Sequence, residues 1–423
     1  LMSYVASVNY SYGDKYYASF SFRRDGSSRL SPDTRWGNFW SLSASWRLSQ
    51  EKFMQSLKSV LSDLKLRASY GVNGNLPSSY YGYQSTYTTG AFYNGKPSPW
   101  ESTLGNEELT WEKNYALNLG LDIGLFSRVN VSLDWYTRTT KDLLMSKQLN
   151  SISGFSSLLT NVGQMRNTGV ELEVRSNNIK TKDFSWTTAF NLSHNKNKIL
   201  KLADLPWFVD GRYVRKEGYP FNTIYLREYA GVDPETGSAL YYDNQQDENG
   251  NYTKNKVTDP GQASPIPLKD ITPTISGGFM NTFNYKFIDL SFNLSYSFGG
   301  YSYDNASYIL QDDGYSVISN KSTEQRRRWQ KPGDITDVPR FVYGNKKGGN
   351  YNSSRAIHST DHIRLKSLIL GLNAPKAWLQ KLGIGNARIY FSGTNLLTWA
   401  AYGQYDPEMS GVVGFYTPPL KTY

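Results

Sequence analysis

The residues that could do chemistry are few. The chain of 423 residues holds three histidines and no cysteine, so thiol catalysis, disulfides and cysteine-zinc sites are excluded. His358 and His362 stand four apart, a spacing that shares one face on a helix. No glutamate lies between them and they precede a strand-like segment, so the zinc-protease motif is missing. Serine is plentiful, but no Gly-x-Ser-x-Gly elbow occurs. Asp243-Asn244 and Asp247-Glu248-Asn249-Gly250-Asn251 offer oxygen atoms to calcium. Their spacing departs from the EF-hand pattern, and a polar Asn/Gly turn accounts for them as well. The expectation is no catalytic residue, no metal site, no cofactor and no enzyme activity.

Aromatic side chains are the other candidates. Tyr80, Tyr81, Tyr83, Tyr87, Phe92, Tyr93 and Trp100 crowd residues 72–108, and Trp207 and Phe208 open the stretch WFVDGRY. Flat rings stack on sugars or pack on peptide side chains, and Tyr hydroxyls add hydrogen bonds. The same rings could instead fold the loop on itself or bury against a covering partner. Net charge is +10, from 46 Lys plus Arg against 36 Asp plus Glu. The densest basic run, Arg326-Arg327-Arg328, comes with no nucleic-acid recognition module, so it reads as a solvated loop and no nucleic-acid partner is expected.

The elements that must hold these residues are strands. The chain has 33 Tyr, 19 Phe and 11 Trp, only 19% charged residues and a mean hydropathy of −0.56. That composition excludes disorder, and no apolar run reaches the ~18 residues of a spanning helix. Strict alternation recurs along the chain. Trp40, Leu42, Ala44, Trp46 and Leu48 interleave with Ser41, Ser43, Ser45 and Arg47. Val129, Val131, Leu133 and Trp135 interleave with Asn130, Ser132 and Asp134, and Ile288 to Phe298 repeats the pattern. Each such strand has one apolar and one polar face. Charges fall on the polar parity: Arg23, Arg47, Arg67, Glu171, Glu173 and Arg175. An Arg or Lys on a lipid face would cost ~2–4 kcal/mol at the membrane midplane.

Connections alternate in length. Short ones fall at Gly13-Asp14-Lys15, Phe126-Ser127, Asn177–Asp183 and Lys286-Phe287; long ones run about 72–108, 144–160, 197–273, 299–360 and 399–416. Short turns at one end and long loops at the other mark a transmembrane antiparallel β-barrel, an all-β fold. Four-residue apolar spacing predicts short helices over Gln50–Leu61 and Pro375–Leu382 on the short-turn side. About twelve strands are complete, and a thirteenth begins near Phe415.

Seven segments, in order, resemble the SusC/RagA family of TonB-dependent outer-membrane transporters of Bacteroidetes. They are YYASFSFRRDGSS from Tyr16, LKLRASYGVNGN from Leu64, NVGQMRNTGVELEV from Asn161 and YAGVDPETGSALYY from Tyr229. RWQKPGDITDVPR from Arg328, IRLKSLILGLNAP from Ile363 and RIYFSGTNLLTWAAYGQYDPE from Arg388 complete the set. The resemblance implies a 22-stranded barrel of which residues 1–423 supply the C-terminal ~13 strands. The first ~9 strands, a plug domain and the TonB box are then expected upstream. It implies the bacterial outer membrane and energy-coupled import of oligosaccharides or oligopeptides. Its implied partners are a SusD-like lipoprotein lid, TonB acting through the plug, outer-membrane lipid and lipopolysaccharide, and a second transporter–lipoprotein pair. The six charged residues would face the lumen. The alternatives are a passive porin-like channel and a surface adhesin or structural complex anchored by the barrel.

Overall fold

The computed structural model describes residues 1–90, 92–202, 206–345, 352–380, 383–409, 411–415 and 419–423. The chain divides into two compact units. One comprises Leu1–Trp207, Lys216–Tyr219 and Phe279–Lys286; the other comprises Phe208–Arg215, Pro220–Gly278 and Phe287–Tyr423.

The first unit is a meander. Its strands are β1 (Met2–Tyr12), β2 (Tyr16–Gly26), β3 (Trp36–Arg47), β4 (Leu61–Asn75), β5 (Glu112–Leu125), β6 (Val129–Lys141), β7 (Gln164–Lys180) and β8 (Phe184–Lys201). Strand β9 (Ile275–Tyr285) enters this unit at Phe279. Each strand is hydrogen-bonded to its neighbours in sequence, and the pairs from β1 to β8 are antiparallel. The second unit holds a shorter meander of β10 (Ile288–Phe298), β11 (His362–Asn373) and β12 (Arg388–Ala400), again antiparallel.

The tight turns follow from backbone sterics. Gly13 (φ +59°) and Asp14 (φ +56°) close β1–β2 with a Lys15 N–H to Tyr12 C=O bond of 3.1 Å. Positive φ at both central residues of the four-residue turn Tyr12–Lys15 is the type I′ form, whose twist matches the flanking strands. The β5–β6 turn takes the same form without glycine, at Phe126 (φ +53°) and Ser127 (φ +52°). Its cost is offset by anchoring: Phe126 N–H donates to Val60 C=O at 2.7 Å, and Ser127 N–H to Ser62 Oγ at 3.3 Å. The β7–β8 hairpin is longer than the sequence suggests. Its strands run through Lys180 and from Phe184, so only 181–183 turn.

Register puts the apolar parity on one face. Val8, Phe20, Leu42, Leu66, Leu119 and Leu133 lie on that parity and remain 40–66% exposed. A continuous apolar face of this kind is what a lipid-facing wall presents. The opposite face carries the polar parity. Ser19 and Ser43 hydroxyls meet at 2.6 Å, and Ser21 and Ser41 at 2.7 Å. Asn167 Oδ1 accepts from Asn195 at 3.2 Å and Asn197 at 2.9 Å. No helix among the described residues is long and apolar enough to cross a membrane, which says nothing of strands.

Two expectations are revised in detail. The helix expected over Gln50–Leu61 is shorter, a 3-10 helix over Lys52–Leu57 preceded by a 3-10 turn at Leu48–Gln50. The second predicted helix is a short α-helix over Lys376–Gln380, and residues 381–382 lie outside the described set. Twelve long strands are present among the described residues. Of the thirteenth, Thr422 forms a single antiparallel bridge to Thr394 on β12, and residues 416–418 are not among those described.

Candidate functional site

Two regions merit a functional reading: the polar face of the wall and the aromatic loop between β4 and β5.

The polar face carries Arg23, Arg47, Arg67, Glu171, Glu173 and Arg175 in short networks. Arg23 Nε donates to Asp25 Oδ1 at 2.6 Å. Arg47 bridges Asp63 at 2.9 Å and Asp14 at 3.0 Å. Arg175 pairs with Glu173 on its own strand. Glu171 stands opposite Asp134 on β6 and Ser193 on β8. Arg67 is the hub. Its guanidinium meets Asp122 at 2.8 Å and Asp134 at 2.9 Å, and Ser132 Oγ at 3.0 Å, spanning from β4 over β5 to β6. The intervening residue is Gly120, where a Cβ would lie 2.5 Å from Asp134 Oδ1 and 2.6 Å from Arg67 Cζ. The second unit repeats the device. Asp289 on β10 reaches Arg388 on β12 at 2.6 Å across Gly371, whose Cβ would fall 2.5 Å from Asp289 Oδ1. Sequence reading singles out Arg67 but misses the role of Arg388 and the glycines beneath both bridges.

The turn between β3 and β4 ties one strand end down through Glu51. Tyr16 Oη donates to it at 2.6 Å, Lys15 Nζ at 2.9 Å and Trp46 Nε1 at 3.2 Å. These donors, Tyr16 foremost, hold the Glu51 carboxyl down to about 2 from its ordinary 4.5. A depressed folded-state pKa contributes stability above the ordinary value and loses it as pH falls. The advantage of the native chain over Glu51→Gln is therefore expected to be full above about pH 5 and to vanish toward about pH 2. Thermal unfolding of both across that window checks it; a pH-independent difference contradicts it.

The aromatic loop rests on a packed base. Leu30, Phe39, Val72, Leu109 and Trp111 form a buried cluster, with Tyr83 and Leu159 against it. Phe39 and Trp111 meet edge to face at 5.2 Å, and Trp111 Nε1 donates to Arg35 C=O at 3.0 Å. Tyr83 therefore serves the base. Tyr80 lies under the Arg29 guanidinium, 4.1 Å from its ring centre. Beyond the base two small hairpins project: Thr86–Thr88 pairs with Trp100–Thr103, and Phe92–Tyr93 with Lys96–Pro97. Tyr87, Phe92, Tyr93 and Trp100 are 60–80% exposed there, and ahead of the hairpins Tyr80 and Tyr81 are each 64% exposed. Trp207 is 44% exposed at the start of the strand Trp207–Asp210, and Phe208 is half-buried.

The remaining candidates are occupied by protein contacts. Asp243 accepts from Thr253 Oγ1 at 2.7 Å and Asn255 Nδ2 at 2.9 Å. Asp247 closes a turn, accepting the N–H groups of Asn249 at 2.9 Å and Asn251 at 2.8 Å. His358 stacks flat on Tyr402 with centroids 3.7 Å apart, while His362 sits on β11 with Nδ1 2.8 Å from Thr360 C=O. The two histidines therefore share no helix face. Arg327 pairs with Glu324 at 2.5 Å within a 3-10 turn.

Antiparallel strands in sequence order, one face apolar and exposed and the other polar and cross-linked, define a wall of a transmembrane β-barrel. The comparisons place it further. Residues 3–224, just over half the chain, match the family described as TonB dependent receptor-like, beta-barrel, and the chain belongs to that family. It is 34% identical to TonB-dependent receptor P3 of Formosa agariphila over 96% of this chain and 42% of that protein. It is 30% identical to TonB-dependent receptor SusC of Bacteroides thetaiotaomicron, over 100% of this chain and 43% of that protein. The solved RagAB peptide importer in its closed-closed state superposes with a TM-score of 0.88 at 32% identity, covering 99% of this chain and 46% of that one. The resemblance to SusC and RagA read from the seven segments thus stands, and the chain spans under half the length of these relatives.

Proposed function

We propose that this chain is the barrel portion of a TonB-dependent outer-membrane importer that takes up oligopeptides or oligosaccharides with a SusD-like surface lipoprotein. The observation that carries the reading is the likeness to the RagAB peptide importer along 99% of the chain. The polar face, with its arginine bridges, then lines the lumen, the short turns lie in the periplasm and the long loops lie outside the cell. The loops from about 72–108 to 399–416 and the projecting aromatic hairpins meet the substrate or the lid. Tyr81, Tyr87, Phe92, Tyr93 and Trp100 contribute stacking surface; Arg23, Arg47, Arg67, Glu171, Glu173 and Arg175 keep the lumen wetted and hold the plug. TonB pulls on the plug, and transporter–lipoprotein pairs associate in twos.

The test is uptake by cells carrying the full-length protein. Removing TonB activity is expected to abolish growth on the imported polymer, and undiminished growth would contradict active import. Alanine at Tyr87 and Trp100 together is expected to weaken binding of that polymer by about tenfold, the loss of two exposed ring contacts. Equilibrium binding to the purified protein reads it. Because both rings project from the packed base, the unfolding midpoint is expected to stay unchanged.

A further inference from the structure

The exposed apolar face does not stay apolar to its edge. Toward the long-loop ends of β5–β8 it becomes basic. Register sets Lys113 directly opposite Lys141, and Thr139 opposite Arg166. Arg166 in turn faces Lys198, and Thr168 faces Lys196. These five basic residues share the parity of Leu117, Leu133, Leu172 and Leu192. The confinement of charge to the polar parity, read from sequence, therefore fails at this rim. Lys141, Arg166, Lys196 and Lys198 are exposed.

Two features say that the rim lacks its counter-charge. Lys113↔Lys141 and Arg166↔Lys198 are like charges directly opposed across a ladder, an arrangement that costs stability in isolation. The acidic residues of β5–β8, Glu112, Asp122, Asp134, Glu171 and Glu173, all lie on the other face. Among the described residues only Asp142, 3.9 Å from Lys113, comes within ion-pair distance of the five. Glu217, near the end of β8, is engaged with the Leu202 N–H at 2.8 Å. Lys141 also lies 4.8 Å above the Tyr115 ring, the amphipathic neighbour expected where hydrocarbon gives way to headgroups. At the short-turn end of the same ladders this face carries Leu125, Val129, Ser176 and Thr188 instead.

We propose that this basic rim binds the phosphate groups of an anionic glycolipid in the outer leaflet of the membrane. The proposal rests on the outer-membrane reading above, which makes the long-loop end the outer leaflet. Cations spread over four adjacent strands, ~5 Å apart, match a headgroup bearing more than one phosphate. The bound anion relieves both opposed pairs and fixes the depth of the wall in the membrane.

The test uses the full-length protein purified from its own membrane in mild detergent. Wild type is expected to retain phosphorylated glycolipid, read by native mass spectrometry. K141Q/R166Q/K198Q is expected to bind it about 100-fold more weakly, at about fivefold per basic residue removed near a membrane surface. In phosphatidylcholine nanodiscs the wild type is expected to bind added lipid A, and millimolar inorganic phosphate is not expected to displace it. Equal retention by the folded triple variant overturns the proposal, as does full displacement by inorganic phosphate, which would make this a free-phosphate site. Folding is verified by heat-modifiable migration, and R166Q alone, expected to lose about fivefold, serves if the triple variant does not fold. Wild type recovered outside the membrane fraction overturns the importer reading as well; wild type in the membrane with unchanged glycolipid overturns this inference alone.

Discussion

Arg355→Leu is expected to destabilise the loop fold of the second unit by about 3–5 kcal/mol, the cost of stranding a buried charge. Asp313 is wholly buried and accepts both Arg355 guanidinium nitrogens, at 2.5 and 3.2 Å, and Gln325 Nε2 at 2.9 Å. Its neighbour Asp312 binds Lys321 at 2.6 Å, so the two carboxylates are divided between two cations. Burial pushes the Asp313 carboxyl above its ordinary range, against the pull of Arg355. Without the guanidinium, burial and the neighbouring Asp312 charge push it up, opposed only by the Gln325 hydrogen bond. A folded-state pKa raised above the unfolded one favours folding at low pH and loses that contribution as pH rises through it. The leucine variant is therefore expected to be most native near the ordinary carboxylate range and to loosen as pH rises. Hydrogen exchange across residues 301–345 in both proteins reads this. Matched protection at neutral pH would refute it. Asp313→Asn in the same background is expected to restore much of the loss, because it removes the unpaired charge.

Arg364→Leu is expected to release the segment 401–409 from the wall, again at about 3–5 kcal/mol locally. His362 and Arg364 alternate on β11, and Lys366 falls at the register shift between Leu365 and Ser367. Arg364 binds Asp406 at 2.7 Å and Glu408 at 3.0 Å, Lys366 binds Glu408 at 2.5 Å, and His362 Nε2 is 3.8 Å from it. Arg364 and Asp406 are both buried, at 2% and 9% exposure. Lys366→Leu removes a partner that is one-third exposed, where solvent screens the pair, and is expected to cost under about 1 kcal/mol. Limited proteolysis is expected to cut the Arg364 variant within 401–409 well before wild type or the Lys366 variant. Equal rates for all three would show that the segment is held by other contacts.

Much of the wall was legible in the sequence because strand geometry is local. A period of two over Trp40–Leu48 or Ile288–Phe298 needs no tertiary knowledge to assign a face, and Gly13-Asp14 announces its turn. The aromatic loop was legible as a composition but not as a division of labour. Only packing shows that Tyr83 belongs to the base and Tyr80 to Arg29, while Tyr87 and Trp100 project. Four-residue apolar spacing over so few turns marks a short helix near Lys52–Leu57 but does not tell 3-10 from α.

By itself the sequence determined the fold class, the two faces, the family and the order of short and long connections, all of which depend on residues near one another in the chain. Tertiary structure alone decided which distant residues meet. Asp313 and Arg355 are 42 positions apart, and Arg67 finds Asp134 67 positions on, over the one residue type that leaves room. The basic rim shows the same limit: each lysine or arginine reads as an ordinary surface charge until strand register sets like charges face to face.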